Sequence, residues 1–235
     1  MDDLIASLIE VIYFSLDSDV EKRQWLYQYL SDDEKQRAAR YRFDKHRHRF
    51  ITGRGTIREI LADLGKCPPQ AISFELSNFG KPALCAPESS RRIQFNTSSS
   101  AMMGAIAISD GIALGLDIEK MKPAKGVDND LIVKNEFTRD EYDWYIKHRD
   151  SERPRIFYEF WTCKEAYLKA LGIGLSGKLD SFSIDLTGQQ PAVSYTDLEP
   201  GEQSMLSLQR LNIAEEFMAC LALPEKNSQI NLSYW

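Results

Sequence analysis

At 235 residues the chain can build one large domain or two small ones around a real hydrophobic core. Its 43% hydrophobic and 27% charged content is ordinary for a soluble globular protein, and no apolar run approaches the roughly 20 residues of a membrane helix, so no membrane partner is expected. A net charge of -6 argues against general binding of polyanions, and no nucleic-acid partner is expected either.

The opening Met1-Asp2-Asp3 lacks the positive region of a signal peptide. Cys67, Cys85, Cys163 and Cys220 lie far apart and form no CxxC pair, which argues against a zinc site and a disulfide scaffold. A reducing cytoplasm is the expected location.

In chain order, Glu10 to Asp17 reads as a strand and Asp19 to Leu30 as a helix with Trp25, Leu26, Tyr29 and Leu30 on its apolar side. Ser31 and Glu34 form a capping box that opens the next helix. A cationic segment follows on it: Lys35, Arg37, Arg40, Arg42, Lys45, Arg47, Arg49, Arg54 and Arg58, opposed only by Asp44 and, at its edge, Glu59. Within an acidic protein this describes a confined anion site or, equally, a solvated helix face. A second helical stretch is predicted to begin near Gly53-Arg54-Gly55 and to stop at Gly65.

Ile72 to Leu76 reads as a short strand and Ser77 to Pro82 as a loop. Arg92 to Phe95 is expected to be a strand edge, followed by a polar turn, Asn96 to Ser100. Met103 to Ser109 and Ile112 to Glu119, joined by Asp110-Gly111, read as a hairpin. Gly126 to Asn135 carries few structure signals. Thr138 and Glu141 form a second capping box, with Phe137 and Tyr142 placed for a hydrophobic staple. Arg155 to Leu171 is the clearest helix, closed by Gly172, and the chain from Phe182 to Leu223 is strand-like. Each half runs from helices to strands, with the change near Asp110. The expected fold is therefore α+β with two small lobes, 1–111 and 112–235.

Asp117 and Glu119 alternate on their strand and so project from one face. Two such carboxylates repel unless a cation joins them, and all-oxygen donors suit Mg2+; a lone D-x-E also describes a solvated strand end. On the long helix Phe157, Phe160, Trp161, Leu168 and Leu171 make an apolar stripe with Lys164, Glu165 and Lys169 beside it. Glu165 and Lys169, four apart, share a face, as a surface ion pair would. Phe79-Gly80-Lys81-Pro82 and Asn96-Thr97-Ser98-Ser99-Ser100 offer a lysine, hydroxyls and backbone amides that suit a phosphate, or mere turn chemistry.

Taken in order, the basic helix, FGKP, FNTSSS, GLDIE and FWTCKEAYLKALGIGL closely resemble the surfactin-synthetase-activating type of 4'-phosphopantetheinyl transferase, over roughly Arg37 to Leu175. The resemblance implies a pseudo-dimer of two similar α+β lobes with the active site in the cleft between them. It implies that Asp117, Glu119 and Glu165 hold Mg2+ against the pyrophosphate of coenzyme A and that Lys169 contacts the phosphates. Lys81, with Arg49 and either Arg37 or Lys35, would face the 3'-phosphate end, and Asn96 and Ser98 would line the nucleotide pocket. Pro82, Ser99 and Lys164 join this coenzyme A-contacting set. The implied reaction moves the phosphopantetheine arm to a serine of an acyl or peptidyl carrier protein, with Glu165 as base, directly or through a metal-bound water. The nucleophile is the partner's, so no catalytic Ser or Cys is expected here, and a monomer is expected because one chain completes the cleft.

One position departs from the family pattern, F-N-x-S-H-S: Ser99 stands where a phosphate-contacting histidine is usual. The same departure is what a coenzyme A-binding relative without transferase activity would show. A nucleic-acid-binding reading rests on the basic helix alone. Carrier proteins acidic near their serine would meet basic and apolar residues in the loop after Glu119 and in the helix starting at Thr138.

Overall fold

The computed structural model describes residues 8–77, 80–86, 92–121, 129–173, 178–196, 206–224 and 228–235. Two sheets carry most of the architecture. The first has the order β11-β1-β5-β4, from β1 (Leu8–Ser15), β4 (Ile93–Ser100), β5 (Met103–Asp110) and β11 (Gln229–Tyr234). The second has the order β6-β10-β9, from β6 (Gly115–Lys120), β9 (Leu206–Arg210) and β10 (Phe217–Pro224). Two short pairs, β2 (Ser73–Leu76) with β3 (Pro82–Ala86) and β7 (Phe182–Asp185) with β8 (Ala192–Thr196), flank them.

The helices are α1 (Val20–Tyr27), α2 (Asp32–Ala39), α3 (Asp44–Gly65), α4 (Asn129–Glu136), α5 (Arg139–Tyr145) and α6 (Arg153–Leu171). Side-chain alternation sorts them into layers. Ile12, Phe14, Ile106 and Ile108 face Ile60, Leu61 and Ala62 of α3. The odd-numbered Val11, Ala105 and Ala107 face Leu116, Ile118, Ala219 and Leu221 of the second sheet. The far side of that sheet, including Cys220 and Ala222, packs on Phe160, Cys163 and Tyr167 of α6. The order is thus α3, first sheet, second sheet, α6, and the chain is α+β.

Several local expectations are met for the physical reasons given. Ser31 Oγ accepts the Glu34 N–H at 3.3 Å while Glu34 returns to the Ser31 N–H at 2.9 Å. The Thr138–Glu141 box forms in the same way, and α6 ends at Gly172 with φ 74°.

Other expectations are corrected. The cationic segment is split: α2 stops at Ala39 and α3 begins at Asp44, running through Gly53 and Gly55 instead of starting there. A Cβ at Gly55 would lie 2.6 Å from the Leu26 Cβ, so glycine here lets α1 press against α3. The polar run 96–100 is part of β4 rather than a turn. The hairpin pairs β4 with β5 through Ala101 (φ 53°) and Met102, whereas Asp110-Gly111 carries the chain from one sheet to the other. Residues 129–136 are helical, and α1 leaves Trp25 exposed. The strand β11, not anticipated, pairs parallel to β1. The expected boundary at 111/112 falls where the chain changes sheets, but 229–234 return to the first sheet.

Strands β4 and β6 lie side by side without a backbone ladder. Instead Asn96 Oδ1 accepts the Leu116 N–H at 2.8 Å, Ser98 Oγ the Ile118 N–H at 3.3 Å, and Ser100 Oγ the Lys120 N–H at 3.0 Å. Every second residue of β4 thus reaches a β6 amide at a constant offset. These partners satisfy donors that burial would otherwise leave costly. The seam joins the two sheets and forms the floor of the site.

Candidate active site

A cleft of about 780 Å³ opens over this seam, with α3 on one side and α6 on the other. Helix periodicity decides what α6 shows to it. Trp161, Glu165 and Lys169, spaced by four, all line the cleft, while Phe160, Lys164 and Leu168 form the adjoining buried stripe.

From the floor, Asp117 and Glu119 enter the cleft. Lys169 Nζ lies 2.6 Å from Asp117 Oδ1 and also donates to Leu116 O and Ser98 Oγ, each at 3.2 Å. Ser98 Oγ donates to the same Asp117 oxygen at 2.8 Å, and Ser100 Oγ donates to Glu119 Oε2 at 2.6 Å. The β4 hydroxyls therefore hold both carboxylates while accepting the β6 amides. Asp117 is 3% exposed, and its Oδ2 is buried with no hydrogen-bond partner among the described residues. Burial pushes the Glu165 carboxyl above its ordinary value, the charges of Asp117 and Glu119 push the same way, and Lys169 opposes them.

The α3 side is cationic and aromatic. Arg37 and Tyr41 precede α3, and His46, Arg49, Phe50 and Arg54 come from it. Arg37 lies over the Phe50 ring at 5.2 Å, and Arg49 lines the cleft while its guanidinium pairs twice with Asp17, at 2.8 and 3.1 Å. Burial lowers the Arg54 pKa against the pull of Glu34, 3.3 Å away. Arg58 is a structural member of the segment: buried, it donates to Glu34, Pro69 O and Ile72 O.

Of the sequence-predicted site residues, Asp117, Glu119, Glu165, Lys169, Arg37, Arg49, Ser98 and Ser99 meet in this cleft. Four others do not line it. Asn96 is buried and bonded to β6. Pro82 opens β3, and Phe79 of the same motif lies outside the described residues. Lys81 Nζ donates to Leu114 O at 3.0 Å and Lys169 O at 2.9 Å instead of facing the cleft. Lys164 requires the clearest correction. Its side chain has no exposure, and its ammonium is taken by Glu141 at 2.9 Å, Leu179 O at 2.7 Å and Phe182 O at 2.6 Å. Lys35, the alternative to Arg37, points to Asp32 at 3.9 Å. Tyr41, His46 and Trp161 line the cleft without having been singled out for it, and so do Arg54 and Thr97, which the sequence marked only as members of the cationic segment and of the polar run 96–100. For Trp161 the signal was present, four residues before Glu165.

Among the described residues, no three His, Cys, Asp or Glu side chains are drawn together tightly enough to ligate an ion unaided, and no helix is long and apolar enough to cross a membrane.

Comparison with known proteins assigns the family. Residues 19–110 match the 4'-phosphopantetheinyl transferase N-terminal family, and residues 113–221 match the 4'-phosphopantetheinyl transferase superfamily. The chain is 34% identical over 193 residues to the 4'-phosphopantetheinyl transferase HetI of Nostoc sp., covering 82% of this chain and 80% of that one. It is 29% identical over 175 residues to the 4'-phosphopantetheinyl transferase Sfp of Bacillus subtilis, covering 74% and 75%. With both halves matched in order, and with the paired carboxylates and the lysine of α6 converging on one cleft, the chain belongs to the 4'-phosphopantetheinyl transferase family.

Proposed function

We propose that the chain transfers the 4'-phosphopantetheine arm of coenzyme A to a serine of an acyl or peptidyl carrier protein, with Mg2+, and releases 3',5'-ADP. The observation that carries this reading is the contact of Lys169 with Asp117, beside Glu119 and Glu165, in a cleft whose opposite side is cationic. Such a site has places for a divalent cation, a pyrophosphate and a further anionic group.

Asp117, Glu119 and Glu165 would hold the Mg2+. The orphaned Asp117 Oδ2 supports a cation there, and Mg2+ accepts one or two carboxylates with phosphate oxygens and waters completing its shell. When bound, the ion offsets charge on the phosphate oxygens and the leaving group. Lys169 adds fixed positive charge at the same place. The serine Oγ forms a bond to the phosphorus bearing the pantetheine arm, and the bond from that phosphorus to the oxygen of 3',5'-ADP breaks. Glu165 takes the serine proton; its raised pKa makes the ionised carboxylate a stronger base than an exposed glutamate. Arg37, Arg49, His46 and Arg54 bind and orient the nucleotide end.

Incubation with coenzyme A, Mg2+ and a panel of apo-carrier proteins, followed by intact mass spectrometry, tests this. A gain of one phosphopantetheine, lost without metal and in Asp117→Ala, is the expected result. No gain on any carrier overturns it.

A further inference from the structure

The lysine of the FGKP turn has a place in the fold that its motif does not explain. Lys81 stands between β2 and β3 on the first-sheet side of the molecule, yet its side chain reaches across to the end of α6. Its Nζ bridges two backbone carbonyls that are 55 residues apart in sequence: Leu114 O, just before β6, and Lys169 O, in the last turn of α6. Its stem reaches Gly172, where the Lys81 Cδ would lie 3.9 Å from an added Cβ. Burial lowers the Lys81 pKa by taking the ammonium out of water.

The two carbonyls flank the pair that matters for chemistry. Leu114 lies three residues before Asp117, and Lys169 is the residue whose ammonium meets Asp117 at 2.6 Å. The interface between these segments is already tight at Gly115: a Cβ there would lie 2.0 Å from Ala166 O and 2.4 Å from Ala170 N. A donor that ties the helix end to the start of the strand fixes the distance between them. Lys169 O also accepts the N–H of the cap residue Gly172, at 3.3 Å, so the Lys81 ammonium at 2.9 Å is a second and shorter donor at this helix end.

We propose that Lys81 is a positioning residue for the transfer reaction, a strut from the FGKP turn that sets the spacing of Lys169 and Asp117, rather than a ligand of the coenzyme A 3'-phosphate. The proposal rests on the transferase reading above. It implies that the turn is mechanically linked to the catalytic pair, so that a change at Lys81 is felt in turnover and not in nucleotide affinity.

The test is steady-state kinetics of Lys81→Met and Lys81→Arg with both coenzyme A and 3'-dephospho-coenzyme A, on enzyme checked for folding by circular dichroism. In Lys81→Met, kcat should fall about ten- to a hundredfold, the scale for misplacing a reacting group by a fraction of an ångström to an ångström. The KM for coenzyme A should stay within about twofold, and the preference for coenzyme A over its 3'-dephospho form should be unchanged. Lys81→Arg, which can still donate to two carbonyls, should recover most of the turnover. Should Lys81→Met not fold, Lys81→Gln, which keeps an amide donor, is read in its place. A rise in KM confined to coenzyme A, with loss of the preference, identifies a direct phosphate contact and overturns the proposal. Unchanged kinetics in the folded variant overturn it as well. Absence of transfer by the unsubstituted chain would instead overturn the transferase reading and this proposal with it, before any variant is compared.

Discussion

Lys169 Nζ sits 2.6 Å from Asp117 Oδ1, joining the last turn of α6 to the middle of β6 across the floor of the cleft. The aspartate is 5% exposed at its side chain and the lysine 27%, so the pair is shielded on one side and open to a ligand on the other. A bound phosphate would compete with Asp117 for this ammonium. Lys169→Met should therefore lower kcat/KM by about a hundred- to a thousandfold, the range for removing one preorganised charged donor. Asp117→Asn should lower it as much and also weaken the response to Mg2+. A Mg2+ titration of initial rates separates the two, since Lys169→Met should leave the Mg2+ midpoint nearly unmoved.

Lys164, one residue from Glu165, should behave in the opposite way. Its ammonium is enclosed by Glu141, two carbonyls and the rings of Phe182 and Phe137, at 4.4 and 5.4 Å. Glu141 in turn accepts the Ile184 N–H and caps α5. Lys164→Met leaves a buried carboxylate without its counter-ion, which costs about 3–5 kcal/mol. Thermal denaturation should show a lowering of about 10 °C, with the KM for coenzyme A little changed in the protein that remains folded. Combining it with Glu141→Gln should return part of the loss, because the unpaired charge is gone.

These two lysines show what the sequence could reveal and what it could not. Lys169 is four residues after Glu165 and eight after Trp161, and Lys164 is four from both Phe160 and Leu168. Helical spacing alone separates a cleft face from a core face here, so the fate of Lys164 was legible. The capping boxes at Ser31 and Thr138 and the stop at Gly172 were legible because their chemistry is local. The seam was not. Asn96, Ser98 and Ser100 look like turn residues; the backbone ladder to β5 makes them a strand, and the amides of β6 take up their side chains. Asp110-Gly111 marks a turn correctly but says nothing about which strand pairs with which, so β5 and β6 could not be assigned to different sheets. The return of β11 to β1 is a contact between the two ends of the chain, and no local pattern encodes it.

Glu165 holds its proton more tightly in the folded chain than an exposed glutamate does, mainly because it is buried and also because Asp117 and Glu119 are near. The ionised form therefore costs stability. Below the unfolded-state value, near 4.5, the group is protonated in both states and the cost vanishes; above the raised folded value it is fully present. Glu165→Gln should accordingly raise the melting temperature of metal-free protein at pH 7 to 8 by about 2 °C. The gain should disappear as the pH falls toward 4, and transfer should be lost at every pH. A melting series on the metal-free protein checks the first two points without reference to activity.

Ser99 lines the cleft beside Thr97, on the strand face opposite the seam residues Ser98 and Ser100. It stands where the motif resemblance implies a phosphate-contacting histidine. A hydroxyl there is shorter and never charged. Ser99→His should therefore lower the KM for coenzyme A, by about 5- to 150-fold if the new side chain makes one charge-assisted bond worth about 1–3 kcal/mol. His46 already lines the same cleft from α3. If it supplies that contact, Ser99→His alone leaves the KM unchanged, while His46→Ala raises it and Ser99→His restores it in the double variant. Measuring coenzyme A KM values for the two single variants and the double decides between a missing contact and a relocated one, because only relocation makes the two substitutions non-additive.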